Sequence, residues 1–168
     1  MYLPDHEVTL ELLTAGHADA VLAFERENRA YFAASIPDRG DEYFASFPAR
    51  HGALLAEQEA GICRFHVLVD GGGAVVGRMN LMDLEDGSAE LGYRIAEKAA
   101  GRGLASAAVR AVAQLAAAEY GLTRLTARTT LGNAGSRAVL SRVGFRPVGV
   151  CELDGDPGTT YELMLEHS

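Results

Sequence analysis

Ala100-Gly101-Arg102-Gly103-Leu104-Ala105 joins a strand-like stretch to the start of a long alanine-rich one. Two glycines let a backbone turn closely, and the first-turn N–H groups of the following helix have no intrahelical acceptor. Those donors, with the positive end of the helix dipole, form an anion site suited to a pyrophosphate. Taken alone, the turn is compatible with a plain tight turn, a dinucleotide site or a relative of the P-loop. A GxGxxG fingerprint opening at Gly101 needs glycine where Ser106 stands, and the Gly-Lys-Ser/Thr end of a P-loop is absent. The cluster Gly71-Gly72-Gly73 lies between two strand-like runs and reads as a hairpin turn, not a phosphate loop.

Other chemistries find little support. Cys63 and Cys151 are far apart and fit no metal-ligand or CxxC spacing, so they read as reduced, buried small hydrophobes. The histidines His6, His17, His51, His66 and His167 are scattered without an HExxH pattern, and no metal is expected. A net charge of −8 with no block of Lys or Arg argues against nucleic acid as a partner. No apolar run is long enough to cross a bilayer, and Met1-Tyr2-Leu3-Pro4-Asp5-His6 lacks the order of a signal peptide. The expectation is a cytoplasmic protein away from membranes.

The elements that must carry the turn follow from periodicity. At 168 residues, 48% of them apolar, the chain suits one domain spanning 1–168. Alternation predicts a first strand over 8–13, and a helical stripe follows over 18–29. A breaker cluster at 35–40 precedes a second helix over 41–59, interrupted near Pro48. Three consecutive antiparallel strands are expected at 64–69, 74–84 and 88–96, with turns at Asp70-Gly71-Gly72-Gly73 and Glu85-Asp86-Gly87. The alanine-rich helix covers 103–120 and stops at Gly121. A strand at 124–130, a short helix over 133–143 ended by Gly144, and strands at 145–150 and 159–165 complete a mixed α/β (α+β) domain.

Three motifs in this order carry a specific resemblance. Ala89-Glu90-Leu91-Gly92-Tyr93-Arg94-Ile95, then Gly101-Arg102-Gly103-Leu104-Ala105, then Asn133-Ala134-Gly135-Ser136-Arg137-Ala138-Val139-Leu140-Ser141-Arg142-Val143-Gly144-Phe145 resemble the GNAT acetyltransferases. More narrowly they resemble the RimJ/RimL branch, which acetylates N-terminal amines of ribosomal proteins. Lys98 departs from the Gln or Arg with which the family loop usually opens. The resemblance implies a mostly antiparallel twisted sheet flanked by helices, with two central strands splayed, here between 90–95 and 125–130. It implies acetyl-CoA as donor, its pantetheine arm paired to the backbone of Tyr93 and Ile95. The amides of Arg102, Gly103, Leu104 and Ala105, after the turn at Gly101, would hold the pyrophosphate.

The same resemblance assigns roles at the reacting end. Ser136 matches the serine that protonates the departing thiolate, and Asn133 both caps its helix and bonds the pantetheine arm. Glu90 is the candidate base acting through water, and Tyr93 a second candidate that reaches the cleft with its hydroxyl. Arg102, Arg137 and Arg142 are candidates for the phosphates and the nucleotide end, while Phe32, Tyr43, Phe44 and Phe47 are candidates for the acceptor side. An alkylammonium with a pKa near ~10 is scarcely nucleophilic at neutral pH, so the amine must be deprotonated somewhere. The expected function is acetyl transfer to a primary amine, with a protein N-terminus, a small amine, or a CoA-binding module of little activity as readings that stay open. A homodimer is implied by resemblance alone.

Overall fold

The structure, a computed structural model, describes residues 1–166, so His167 lies outside the described residues. The three expected antiparallel strands are β3 (Arg64–Asp70), β4 (Val75–Glu85) and β5 (Ser88–Ile95), preceded by β1 (Tyr2–Leu3) and β2 (Val8–Leu12). After them come β6 (Arg124–Thr130), β7 (Arg146–Leu153) and β8 (Asp156–Met164). They form one eight-stranded sheet in the order β1-β2-β3-β4-β5-β6-β8-β7. Every neighbouring pair is antiparallel except β5 and β6, which run parallel. A parallel pair needs a long crossover. Here it is α5 (Leu104–Ala118).

α5 forms where expected because alanine is the best helix former and Leu104, Ala108, Val109, Val112 and Ala116 fall on one buried stripe. α6 (Ala134–Val143) ends on Gly144, whose φ of 110° is open to glycine. The early helices are more broken than periodicity suggests. The run expected over 18–29 divides into α1 (Ala18–Glu27) and α2 (Arg29–Ala33) at Asn28, whose Nδ2 turns back to donate to Phe24 O at 2.9 Å. The run over 41–59 divides at Ser46 into α3 (Asp41–Ala45) and α4 (Phe47–Glu59), with Pro48 in the first turn of α4, where its missing N–H costs nothing.

The two faces of the sheet are distinct. Strand register sets His66, Met79 and Tyr93 on one face and Arg78 and Arg94 on the other. α5 covers the first face, and Tyr120 just beyond it bonds His66 Nε2 at 2.7 Å. α1 covers the second, where its Glu25 meets Arg78 and Arg94. β7 is the outermost strand, and most of it is exposed.

His66 is 1% exposed, with Nδ1 against Met79 O at 3.0 Å, and burial pushes its pKa from 6.5 down to about 4. Below pH 6.5 the unfolded chain therefore binds a proton that the folded chain refuses, and stability falls as pH drops toward 4. The loss approaches about 1.4 kcal/mol per pH unit from this group in the steep part of that window. Urea unfolding at pH 7 and pH 5 is expected to show a smaller difference for His66→Gln than for the parent chain. Equal differences would rule out His66 as the group responsible.

Candidate active site

β5 and β6 are joined by only three rungs, Ser88–Arg124, Ala89–Leu125 and Glu90–Thr126. Beyond these, β5 continues on β4 as far as Ile95, and β6 continues on β8 as far as Thr130. The strands therefore part at Leu91 and Ala127, one residue later on β5 and two later on β6 than the expected splay over 90–95 and 125–130. Gly158 helps to hold β8 on β6, because a Cβ there would lie 2.8 Å from Thr129 O. The parting opens a cleft of about 800 Å³.

One wall is the glycine loop. Gly101 (φ 76°) and Gly103 (φ 79°) both adopt the left-handed conformation that favours glycine. Gly103 is the N-cap of α5 and supplies no side chain, while its carbonyl already accepts from Ala107 N at 3.1 Å. The N–H groups of Leu104, Ala105 and Ser106 are left to point out of the helix end. Gly101, Gly103, Leu104, Ala105 and Ser106 line the cleft. Arg102 is exposed and is not part of the cleft wall. The loop is anchored from behind, where Glu97 N donates to Oδ1 of buried Asn28 at 2.9 Å.

The opposite wall comes from α6. Asn133 caps it by accepting from Ser136 N at 3.2 Å. Ser136 Oγ in turn accepts from Tyr93 Oη across the gap at 3.5 Å. Burial pushes the Tyr93 hydroxyl up, so it stays a protonated donor at neutral pH. Tyr93, Asn133 and Ser136 thus converge, and Ile95 lines the same cleft. Arg142 lies in the wall as well, its Nη1 donating to Ser106 Oγ at 3.4 Å, which ties α6 to the first turn of α5. Arg137 points elsewhere, donating to Leu131 O at 3.1 Å.

Glu90 stands apart from these residues. It does not line the cleft. Its carboxylate is paired with Arg128 and borders a shallow hollow with Asp83, Ser88 and Arg124. Glu90 sits on the last rung that β5 shares with β6, before the strands part, and Arg128 holds its carboxylate there. Residues that sequence reasoning passed over also form the cleft: Tyr31 and Ile36 near α2, Arg94, Ser106, Arg128, and Asp154 and Asp156 on the β7–β8 hairpin. Only Ser106 had a local signal, as part of the first turn after the glycine loop. Of the expected aromatics, Phe32 lines the cleft, whereas Tyr43, Phe44 and Phe47 pack with one another and are not in its wall.

Comparison with known proteins gives this geometry a context. Residues 7–146 match the acetyltransferase (GNAT) domain family. A putative ribosomal N-acetyltransferase of Bacillus subtilis (strain 168), YdaF, is 32% identical over 155 residues, covering 86% of this chain and 81% of the relative. The crystal structure of the ribosomal-protein-S5-alanine acetyltransferase of Vibrio fischeri superposes with a TM-score of 0.88 at 17% identity, covering 95% of this chain and 94% of that one. Mycobacterium smegmatis RimJ, solved in complex with CoA-disulfide, superposes with a TM-score of 0.85 at 24% identity, covering 97% and 84%. These two structures support the fold.

Gly103→Asp tests the loop. No atom lies within 4 Å of a Cβ built at Gly103, so the variant meets no steric block. It sets a carboxylate at the anion site and forces a left-handed φ, which costs an ordinary residue roughly 1–2 kcal/mol. Calorimetric titration is expected to show CoA affinity reduced at least about tenfold, with Gly103→Ala, which bears the strain without the charge, much less affected. Wild-type affinity in Gly103→Asp would mean that the loop does not hold the pyrophosphate.

Proposed function

The chain belongs to the acetyltransferase (GNAT) family, and from that premise we propose that it moves acetyl from acetyl-CoA to the α-amine at a protein N-terminus. The observation that carries this reading is the parted pair β5 and β6, with the glycine loop at one side and Tyr93 and Ser136 bridging it. In this reading the pantetheine arm runs along the free edge of β5 at Tyr93 and Ile95, as an added strand would. The α5 amides and Gly101–Gly103 take the pyrophosphate with Arg142 beside it, and Asn133 meets the pantetheine arm.

Transfer needs a neutral amine. Its lone pair forms the N–C bond at the thioester carbonyl, the C–S bond breaks, and the sulfur leaves as thiolate. Ser136 Oγ–H gives that sulfur a proton, the Tyr93 hydroxyl bonded to Ser136 Oγ replaces it, and Tyr93 recovers a proton from the cleft water that takes up the one released by the amine. The amine releases its own proton to water in the open cleft, because the carboxylate of Glu90 is engaged by Arg128. Holding the two reactants together supplies much of the acceleration, since effective molarities reach roughly 10⁵ M or more.

The lack of a carboxylate at Glu90's expected place bears on the acceptor. An α-amine, with a pKa near ~8, is roughly one-tenth neutral at pH 7, whereas an alkylamine near ~10.4 is neutral only in about one molecule in 2,500. An enzyme that relies on the amine's own neutral fraction favours the first by about two orders of magnitude. This favours an N-terminal amine over a polyamine. The relative named for ribosomal N-acetylation agrees with that preference, and the site of action in this reading is the cytoplasm, where such N-termini are made.

Free-thiol release with acetyl-CoA and short peptides tests the proposal. Ser136→Ala is expected to lower kcat by roughly 10²-fold with little change in KM for acetyl-CoA, and Tyr93→Phe to lower it less. Unchanged turnover in Ser136→Ala removes the proposed acid. With peptide acceptors, kcat/KM is expected to rise about tenfold per pH unit below the α-amine pKa near ~8 and then level. A flat profile across that range would point to a base within the protein.

A further inference from the structure

Glu25, on α1, is 1% exposed, yet three guanidiniums reach its carboxylate: Arg78 Nη1 at 2.8 Å, Arg94 Nη1 at 3.1 Å and Arg39 Nη2 at 3.3 Å. Burial alone pushes the Glu25 carboxyl up, but the combined pull of the three arginines wins and holds it below its ordinary value. One carboxylate leaves this cluster with two positive charges in excess. Tyr43 adds a hydroxyl that accepts from Arg78 Nη1 at 3.2 Å. Among the described residues no second carboxylate bonds any of the three arginines, and nearby Asp38 and Asp41 are taken by Arg29.

The arginines are not equivalent. Arg78 is 4% exposed and purely internal, while Arg39 is 30% exposed and lies off the cleft wall. Arg94 lies between them at 15%, and it lines the cleft beside Tyr31, Phe32, Ser35 and Ile36. Its guanidinium lies over the Phe32 ring, 4.8 Å from the centroid. Among the described residues only its Nη1 finds an acceptor, and the side chain keeps 15% of its surface open. Arg94 is thus a cation with spare donors, fixed by an aromatic face and a buried carboxylate, in the wall of the cleft.

Stability does not account for the third arginine. A buried carboxylate is satisfied by one close guanidinium with further hydrogen bonds, and each added cation brings repulsion in a poorly solvated place. That repulsion, after burial itself, brings Arg94 down to about 10 against the pull of Glu25. An anion arriving at the open side of Arg94 would relieve it. We infer that Arg94 is a specificity-determining residue that receives a carboxylate carried by the acceptor close to its reacting amine. This rests on the transferase reading above. The carboxylate has two sources, an acidic side chain next to a peptide N-terminus or the main-chain carboxylate of a free amino acid.

Three peptides differing only at the second residue, Glu, Gln or Lys after an N-terminal alanine, separate the outcomes, with free glutamate and free alanine as further acceptors. The native chain is expected to show kcat/KM at least about tenfold higher for the Glu peptide than for the Lys peptide, with Gln between. Arg94→Gln is expected to bring the three within about twofold of one another, and Arg94→Lys to keep part of the preference. Faster turnover of the free amino acids than of the Glu peptide would identify the main-chain carboxylate as the source. Equal rates on all three peptides by the native chain, with the free amino acids no faster, overturn the inference, and this arm decides even if Arg94→Gln fails to fold. An equal drop on every acceptor in a folded Arg94→Gln also overturns it, because that is what a purely structural arginine would do. CoA binding without thiol release on any amine would instead overturn the transferase reading itself.

Discussion

The structure turns on hydrogen bonds that the sheet does not make. β5 and β6 share three rungs and then separate, although each keeps its other neighbour to the end. Buried backbone N–H and C=O groups are costly to leave unpaired, so two strands that part inside a domain need solvent or a ligand between them. The parted edge of β5 is therefore a ready-made binding surface, chemically equivalent to the edge of a sheet but enclosed by helices. An extended ligand with amide groups suits it better than a compact one does.

What keeps the strands apart is distributed over the chain. Gly158 lets β8 lie against Thr129, which draws β6 toward β8. On the other side, β4 holds β5 along its length, and Asn28 holds the segment that follows through Glu97 N. The two helices bounding the gap are themselves joined by Arg142 and Ser106. All of these ties except the β4–β5 hairpin link elements distant in sequence. The gap is thus a property of the whole sheet, and the glycine loop occupies a place prepared by residues that carry no motif.

This explains what could be read from the chain beforehand. The loop, the alanine-rich helix and the Asn133–Phe145 segment have local signals, because positive φ, helix capping and an apolar stripe each leave a mark within a few residues. Together they carried the family resemblance, which implied the splay, whereas the parallel pairing of β5 and β6 emerges from the structure. The place of Glu90 was not legible for a physical reason: its type suits a base, but its direction depends on strand register and its availability depends on Arg128, on another strand. The division of the first helix at Asn28 was equally hidden, since the side chain that breaks it answers to Phe24 and to Glu97, the latter 69 residues away. β1 is two residues long and leaves no pattern to detect.

Net charge was the least informative reading, and the reason is spatial. A chain of −8 invites the thought of a cationic acceptor. Yet the acidic residues are spread over the surface, where water and salt screen them within about 8–10 Å. The arginines gathered around Glu25 lie in a poorly solvated pocket beside the cleft, where Arg94 is within reach of whatever enters. Field at a site is set by the charges that are both near and unscreened, so two unbalanced guanidiniums outweigh a larger number of solvated carboxylates farther off. The acidic surface therefore governs solubility and long-range approach, while the cleft itself presents the opposite sign on one wall and Asp154 and Asp156 on another. A cleft of that kind discriminates by where charge lies along the acceptor and not by its total.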